Sequence, residues 1–180
     1  MAGGKRIMKR LYLLRHAKAV PQEEGLADRD RALEKKGRRA AQAVATWIEE
    51  QRLEIELALA SPALRTRQTL EIVADAFPHA PKVLVEDGLY LATARQLLAR
   101  LHRLPEATKS VMLIGHNPGF YELAAFLSEV AAGPLMARLG GFPTGALAGF
   151  ECELPWSALE RKRARLVTLA LPKELMRALE

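Results

Sequence analysis

Three short apolar runs, each closed by a polar turn, constrain this chain more than any other feature. Leu11, Tyr12, Leu13 and Leu14 follow one another without the alternation of a half-exposed strand, and LALA at 57–60 and VMLI at 111–114 do the same. A strand apolar at successive positions is covered on both faces, and in α/β folds helices supply that cover. The intervening segments carry the matching pattern. Ala40, Ala43, Val44, Trp47 and Ile48 recur at three- and four-residue steps in a helix expected over 33–51. Leu64, Leu70, Ile72 and Val73 mark a second helix over about 63–77, Leu97, Leu98 and Leu101 a third over about 93–104, and a fourth runs from Phe120 to about Val130. Residues 82–85 read as another strand, and 145–152 and 165–171 as two closing strands. Strand and helix in alternation predict the α/β class.

The 180 residues suffice for one domain with a substantial core, and no linker, repeat or low-complexity tract divides residues 1–180. Lys and Arg outnumber Asp and Glu by 27 to 21, a net charge of +6 that favours anionic partners. The basic run RKRAR at 161–165 reads as a solvated turn, with a docking patch for an acidic partner as the alternative. Lys5, Arg6, Lys9 and Arg10 are not followed by a signal-type apolar core, because Arg15, His16 and Lys18 interrupt it. Uncharged stretches such as Leu139–Phe150 are too short to span a membrane. The only cysteine, Cys152, reads as a small buried side chain on a late strand, and its isolation fits a reducing compartment. A cytoplasmic location without membrane attachment is therefore expected, and no feature fixes an oligomeric state.

The chemistry-bearing residues gather where strands end. Arg15 and His16 follow the first apolar run; His116 and Asn117 follow the one at 111–114, inside Gly-His-Asn-Pro-Gly. Ser61 reads as an N-cap with Pro62 at the first helical position, which puts Arg65 in the first helical turn near the same sheet edge. A cation gains nothing from the positive end of a helix, so Arg65 there implies an incoming anion. In open α/β sheets that edge is where ligands bind. Residues 20–30 read as a polar loop over it, in the manner of a substrate lid. His79 and His102 show no partners and read as exposed or partly packed. Two arginines to clamp a tetrahedral anion, one histidine to attack and one to hydrogen-bond a non-bridging oxygen suit phosphoryl transfer through a phosphohistidine.

LRHAKA at 14–19, SPALRTRQT at 61–69, LIGHNPG at 113–119 and PTGALA at 143–148 together resemble, in order and spacing, the histidine phosphatase superfamily and its small SixA-like phosphohistidine phosphatase branch. That resemblance implies a three-layer α/β/α sandwich with a mostly parallel, phosphoglycerate-mutase-like sheet. It implies that His16 is phosphorylated, that Arg15, Arg65 and His116 bind the phosphoryl group, and that neither metal nor other cofactor takes part. Ala17 stands where the superfamily motif usually reads Gly, a change the SixA-like branch tolerates.

The proton donor is where this chain departs from its relatives. Acid-phosphatase relatives place Asp beside the second histidine, and this chain has Asn117, which is no carboxylic acid. Mutase-like relatives take the acid from a loop that Glu86 or Asp87 would match. An alkoxide leaving group needs that acid, whereas a phosphoimidazole protonated on its distal nitrogen leaves as neutral imidazole, and histidine titrates near about 6.5. The expected activity is therefore removal of phosphoryl groups from phosphohistidine on phosphorelay proteins such as histidine phosphotransfer domains. A phosphomonoesterase for small phosphate esters, using Glu86 or Asp87, is the alternative. A non-catalytic module binding phosphorylated proteins is a further one, and a nucleic-acid partner is not expected.

Overall fold

The computed structural model describes residues 8–178. The strands are β1 (Lys9–Arg15), β2 (Leu57–Ala60), β3 (Lys82–Val85), β4 (Ser110–Gly115), β5 (Leu147–Cys152) and β6 (Arg165–Ala170). The helices are α1 (Lys35–Glu50), α2 (Leu64–Ala74), α3 (Ala94–His102), α4 (Gly119–Leu127), α5 (Gly133–Leu139) and α6 (Pro172–Ala178). The strands form one sheet in the order β3-β2-β4-β1-β5-β6. β1 to β4 run parallel to their neighbours among themselves, while β5 pairs antiparallel with both β1 and β6.

The unbroken apolar runs are explained by two cores, one on each face of the sheet. Leu11, Leu13, Leu59 and Leu113 pack with Leu97 and Leu101 of α3 and Phe120 and Leu123 of α4. Tyr12, Leu14, Ala58 and Met112 pack on the other side with Val44 and Ile48 of α1 and Leu70 and Val73 of α2. Successive residues of β1 thus point into different cores, each fully buried aliphatic side chain contributing about 1.5–3 kcal/mol. This is the mostly parallel α/β/α sandwich expected from the sequence. β3, at the sheet edge, leaves Val85 50% exposed, as an edge strand does.

Several local expectations are corrected. α2 begins at Leu64 with Ala63 as its N-cap, so Ser61 is not the cap and Pro62 is not the first helical residue. The helix starting near Phe120 stops at Leu127, and α5 and α6 were not legible as periodic segments. RKRAR does form an exposed turn, at 161–163 just ahead of β6, with only Arg165 in the strand; β6 runs antiparallel to β5 and so begins at the edge opposite the end of β1. Its Arg163 and Arg165 pair with Glu160 at 3.6 Å and Glu151 at 2.6 Å. His102 does have a partner, since its Nε2 lies 2.7 Å from the Leu159 carbonyl oxygen, whereas His79 is exposed. Lys9 is a buried residue of β1 that donates to the carbonyls of Glu106 and Thr108. Lys5 and Arg6 lie outside the described residues. Cys152 is buried on β5, and no described helix is long and apolar enough to cross a membrane.

One close approach fixes where the chain goes after β1. The Lys18 carbonyl accepts the Glu34 N–H at 3.0 Å, and a Cβ on Gly37 would lie 2.0 Å from that same oxygen. Only a glycine lets the first turn of α1 lie this close to the segment carrying His16. Helix propensity alone would make Gly37→Ala stabilising by about 1 kcal/mol. The clash instead predicts a loss of about 1–3 kcal/mol, read as a lower urea midpoint at unchanged m-value; a midpoint raised by the substitution would contradict the contact.

Candidate active site

Because β1 and β4 are neighbours in parallel register, with Arg15 opposite Gly115, the residues that follow them leave the sheet side by side. His16 and His116 are those residues, and their ring centroids lie 5.2 Å apart. The His16 backbone N–H is held by the Gly115 carbonyl at 3.0 Å, so each strand end braces the other. Both imidazoles are buried.

Arg65, the second residue of α2 and only 3% exposed, joins the two rings. Its Nε lies 3.4 Å from His16 Nε2 and its Nη2 3.5 Å from His116 Nδ1. α2 is fastened to the strand end by Thr69, whose Oγ1 accepts the Ala17 N–H at 3.0 Å and donates to the Arg65 carbonyl at 2.7 Å. The second Thr of SPALRTRQT therefore registers the arginine against the histidine.

These contacts assign the ring protons. His16 Nδ1 lies 2.7 Å from the Ala17 carbonyl oxygen, which can only accept, so Nδ1 carries the hydrogen and Nε2 presents a lone pair towards Arg65. Arg65 offers only N–H donors, so His116 Nδ1 faces it as an acceptor and His116 Nε2–H donates to Ser61 Oγ at 2.6 Å. Ser61, expected to cap a helix, instead orients the second histidine while also accepting the Ala63 N–H at 3.3 Å. Burial pushes the His16 imidazole down to about 4, further lowered by Arg65, Arg15 and Arg31 and partly offset by the bond to Ala17. Burial, followed by His16 and Arg65, pushes His116 down to about 3, partly offset by Asp28. Both rings are neutral at pH 7.

Arg15, at the end of β1, donates through Nη1 to the Phe142 carbonyl at 2.7 Å, while its buried Nε has no hydrogen-bond partner among the described residues. Burial, and then the neighbouring Arg65, lower its affinity for its own proton. Asn117 spends its amide hydrogens on the carbonyls of Gly141 at 2.7 Å and Phe142 at 3.2 Å, tying down the loop that holds Arg15. The four residues singled out by sequence thus meet at one place. Two guanidiniums lie beside a neutral ring nitrogen whose lone pair takes only the long 3.4 Å contact from Arg65, a setting suited to displacement on a tetrahedral oxyanion.

The loop over the site supplies residues that the sequence did not reveal. Asp28 accepts from Arg65 Nη2 at 2.9 Å, from Tyr90 Oη at 2.5 Å and from Arg31 Nη1 at 2.8 Å, and its backbone carbonyl accepts from Arg65 Nη1 at 2.6 Å. Burial alone would raise the Asp28 carboxyl, but the hydrogen bonds from Tyr90, Arg31 and Arg65 outweigh it and hold the group well below the usual carboxylate range. Tyr90 stands edge-on to His116 with centroids 5.5 Å apart, and burial and Asp28 raise its phenol. Glu86 is instead gripped by Arg100 through two bonds of 2.7 Å, which lowers its carboxyl. The Asp87 side chain is 87% exposed and pairs with Arg29 at 2.7 Å. Among the described residues no three His, Cys, Asp or Glu side chains gather as a metal would need.

Residues 11–90 match the model of the histidine phosphatase superfamily, branch 1. The phosphohistidine phosphatase SixA of Escherichia coli is 31% identical over 145 residues, covering 77% of this chain and 82% of that protein. A SixA structure from Agrobacterium tumefaciens is 34% identical, with a TM-score of 0.77 over 91% of this chain and 98% of that one. The protein histidine phosphatase SixA in complex with tungstate is 27% identical, with a TM-score of 0.74 over 92% and 99% of the two chains. The paired histidines, the arginine joining them and these likenesses place the chain in the histidine phosphatase superfamily, within its SixA-like branch.

Proposed function

We propose that the protein is a metal-independent phosphohistidine phosphatase acting on proteins that carry a phosphoryl group on histidine. His16 Nε2 attacks the phosphorus while the P–N bond to the substrate imidazole breaks, and that imidazole, protonated on its distal nitrogen, leaves neutral. Phosphorylated His16 keeps its Nδ1–H on the Ala17 carbonyl, which supports the charge the ring acquires. Arg65 and the unpartnered Arg15 Nε–H hold the equatorial oxygens, and His116 Nδ1, an acceptor, takes the hydrogen bond of a phosphoryl oxygen that enters protonated. Water then attacks phosphorus, releasing inorganic phosphate and restoring His16. A SixA chain in complex with tungstate is in keeping with an oxyanion pocket here.

The observation that carries the choice of substrate concerns the acid. Asp28, the carboxylate bonded to the arginine between the histidines, is held ionised by three donors, and Glu86 is held by Arg100. A carboxylate so held does not protonate an alkoxide, and a phosphoimidazole does not require it to. Turnover of a phosphorylated histidine phosphotransfer domain should therefore exceed that of aryl and sugar phosphates by orders of magnitude. Brief incubation with labelled phosphodonor should leave acid-labile label that His16→Ala abolishes together with activity. Full activity in His16→Ala, or equal turnover of phosphate monoesters, would end this reading.

Two further outcomes follow from the site's electrostatics. In NMR titrations the His16 and His116 ring signals should stay constant from pH 8 to about 5 and shift only on further acidification; titration near about 6.5, the unperturbed value, would contradict a buried neutral pair. The native state then binds fewer protons than the unfolded chain below about pH 6.5, so stability contributed by the pair is full above that pH and is lost as pH falls towards about 4. Asp28→Asn should lower kcat/KM about tenfold for phosphohistidine and monoester alike, because Asp28 acts through Arg65. A loss confined to the monoester would make Asp28 the acid.

A further inference from the structure

A cluster of cations stands on α1 and α6, apart from the most basic run of the chain. α1 begins with Lys35, Lys36, Gly37, Arg38 and Arg39, four cations in five residues, with no acidic residue in its first turn. Cations at that end of a helix oppose its dipole, so stability of α1 does not account for them. Across from them α6 carries Lys173 and Arg177, and Lys35, Lys36, Arg39, Lys173 and Arg177 line one shared groove. None of these five forms an ion pair with another described residue, unlike Arg163 and Arg165 of the basic run. Lys36 and Lys173 also line the adjoining groove with Lys18, Pro143 and Thr144.

The fold attaches this surface directly to the site. The first turn of α1 lies on the carbonyl of Lys18, two residues beyond His16. The first residue of α6, Pro172, lies against Gly145, whose N–H donates to the carbonyls of Arg15 at 3.1 Å and His16 at 3.0 Å. A molecule presenting phosphohistidine to His16 and extending past Gly145 therefore meets five unpaired cations. A phosphorylated amino acid is too small to touch them. We propose that the α1–α6 groove is the docking surface for the acidic face of the phosphorylated protein substrate. This rests on the phosphohistidine phosphatase reading for what is turned over, but binding at the groove is separable from it.

The decisive comparison uses the wild-type chain and a variant with Lys35→Glu, Lys36→Glu, Lys173→Glu and Arg177→Glu, with a second variant carrying Gln at the same positions. Each is assayed on free phosphohistidine and on a phosphorylated histidine phosphotransfer domain with acidic residues around its histidine. Free phosphohistidine should be hydrolysed equally by all three, which also reports that the variants fold. On the phosphorylated domain kcat/KM should fall at least tenfold for the Glu variant and less for the Gln variant, and wild-type activity should decline as salt rises. Equal activity of all three on the domain, or equal losses on both substrates, would overturn the docking surface. If wild type hydrolyses neither substrate, the phosphatase reading fails and the groove is judged by binding of the unphosphorylated acidic domain. Salt-sensitive binding lost in the Glu variant supports it; absence of binding, or tighter binding of an arbitrary DNA duplex, overturns it.

Discussion

The guanidinium of Arg65 is the hub on which the site depends. It is buried, touches both imidazoles and holds the backbone and side chain of Asp28, so one cation joins two strand ends, a helix and the overlying loop. A buried guanidinium is tolerable only where its N–H groups are matched, and Asp28 provides the matching charge. Burial first of all, reinforced by Arg65 and Arg15, keeps both histidines unprotonated. Neutrality at His16 thus comes first from burial, and the cations that surround the oxyanion position reinforce it.

Sheet topology makes that hub possible. Placing β4 directly beside β1 in parallel register brings residues a hundred positions apart to adjacent points, and β2 beside β4 delivers the start of α2 to the same edge. Antiparallel β5 then returns the chain so that Gly145 and Phe142 close the third side, through the carbonyls of Arg15 and His16 and the guanidinium of Arg15. Asn117 spends its amide hydrogens on that closure, a structural task in place of the proton transfer that an aspartate there would perform.

What was legible in the sequence, and what was not, divides along physical lines. Arg15, His16, Arg65 and His116 could be found because each follows a buried strand or opens the helix beyond one, and that position is encoded locally by apolar runs and turns. Asp28 and Tyr90 lie in segments without periodicity, and their roles exist only through contacts dozens of residues apart, Arg65 with Asp28 and Tyr90 with Asp28. Ser61 was misleading because a Ser-Pro before a helix carries the signature of a cap, while the helix starts three residues later and the hydroxyl serves His116. RKRAR attracted notice as a contiguous run, yet its charges are partly neutralised at the far edge. The unpaired cations are assembled from two segments more than a hundred residues apart, which no linear scan of charge brings together.

The central claim is that His16 Nε2 faces a single oxyanion pocket formed by Arg15, Arg65 and His116, with the Asp28 carboxylate outside it as the anchor of Arg65. A crystal structure of the chain soaked with vanadate tests this most directly. The account predicts vanadium bonded to His16 Nε2, its oxygens on Arg15, Arg65 and His116, and the Asp28 to Arg65 pair intact. Vanadate bound away from His16, bonded through Nδ1, or seated with Asp28 swung in to share a proton with it would contradict the account.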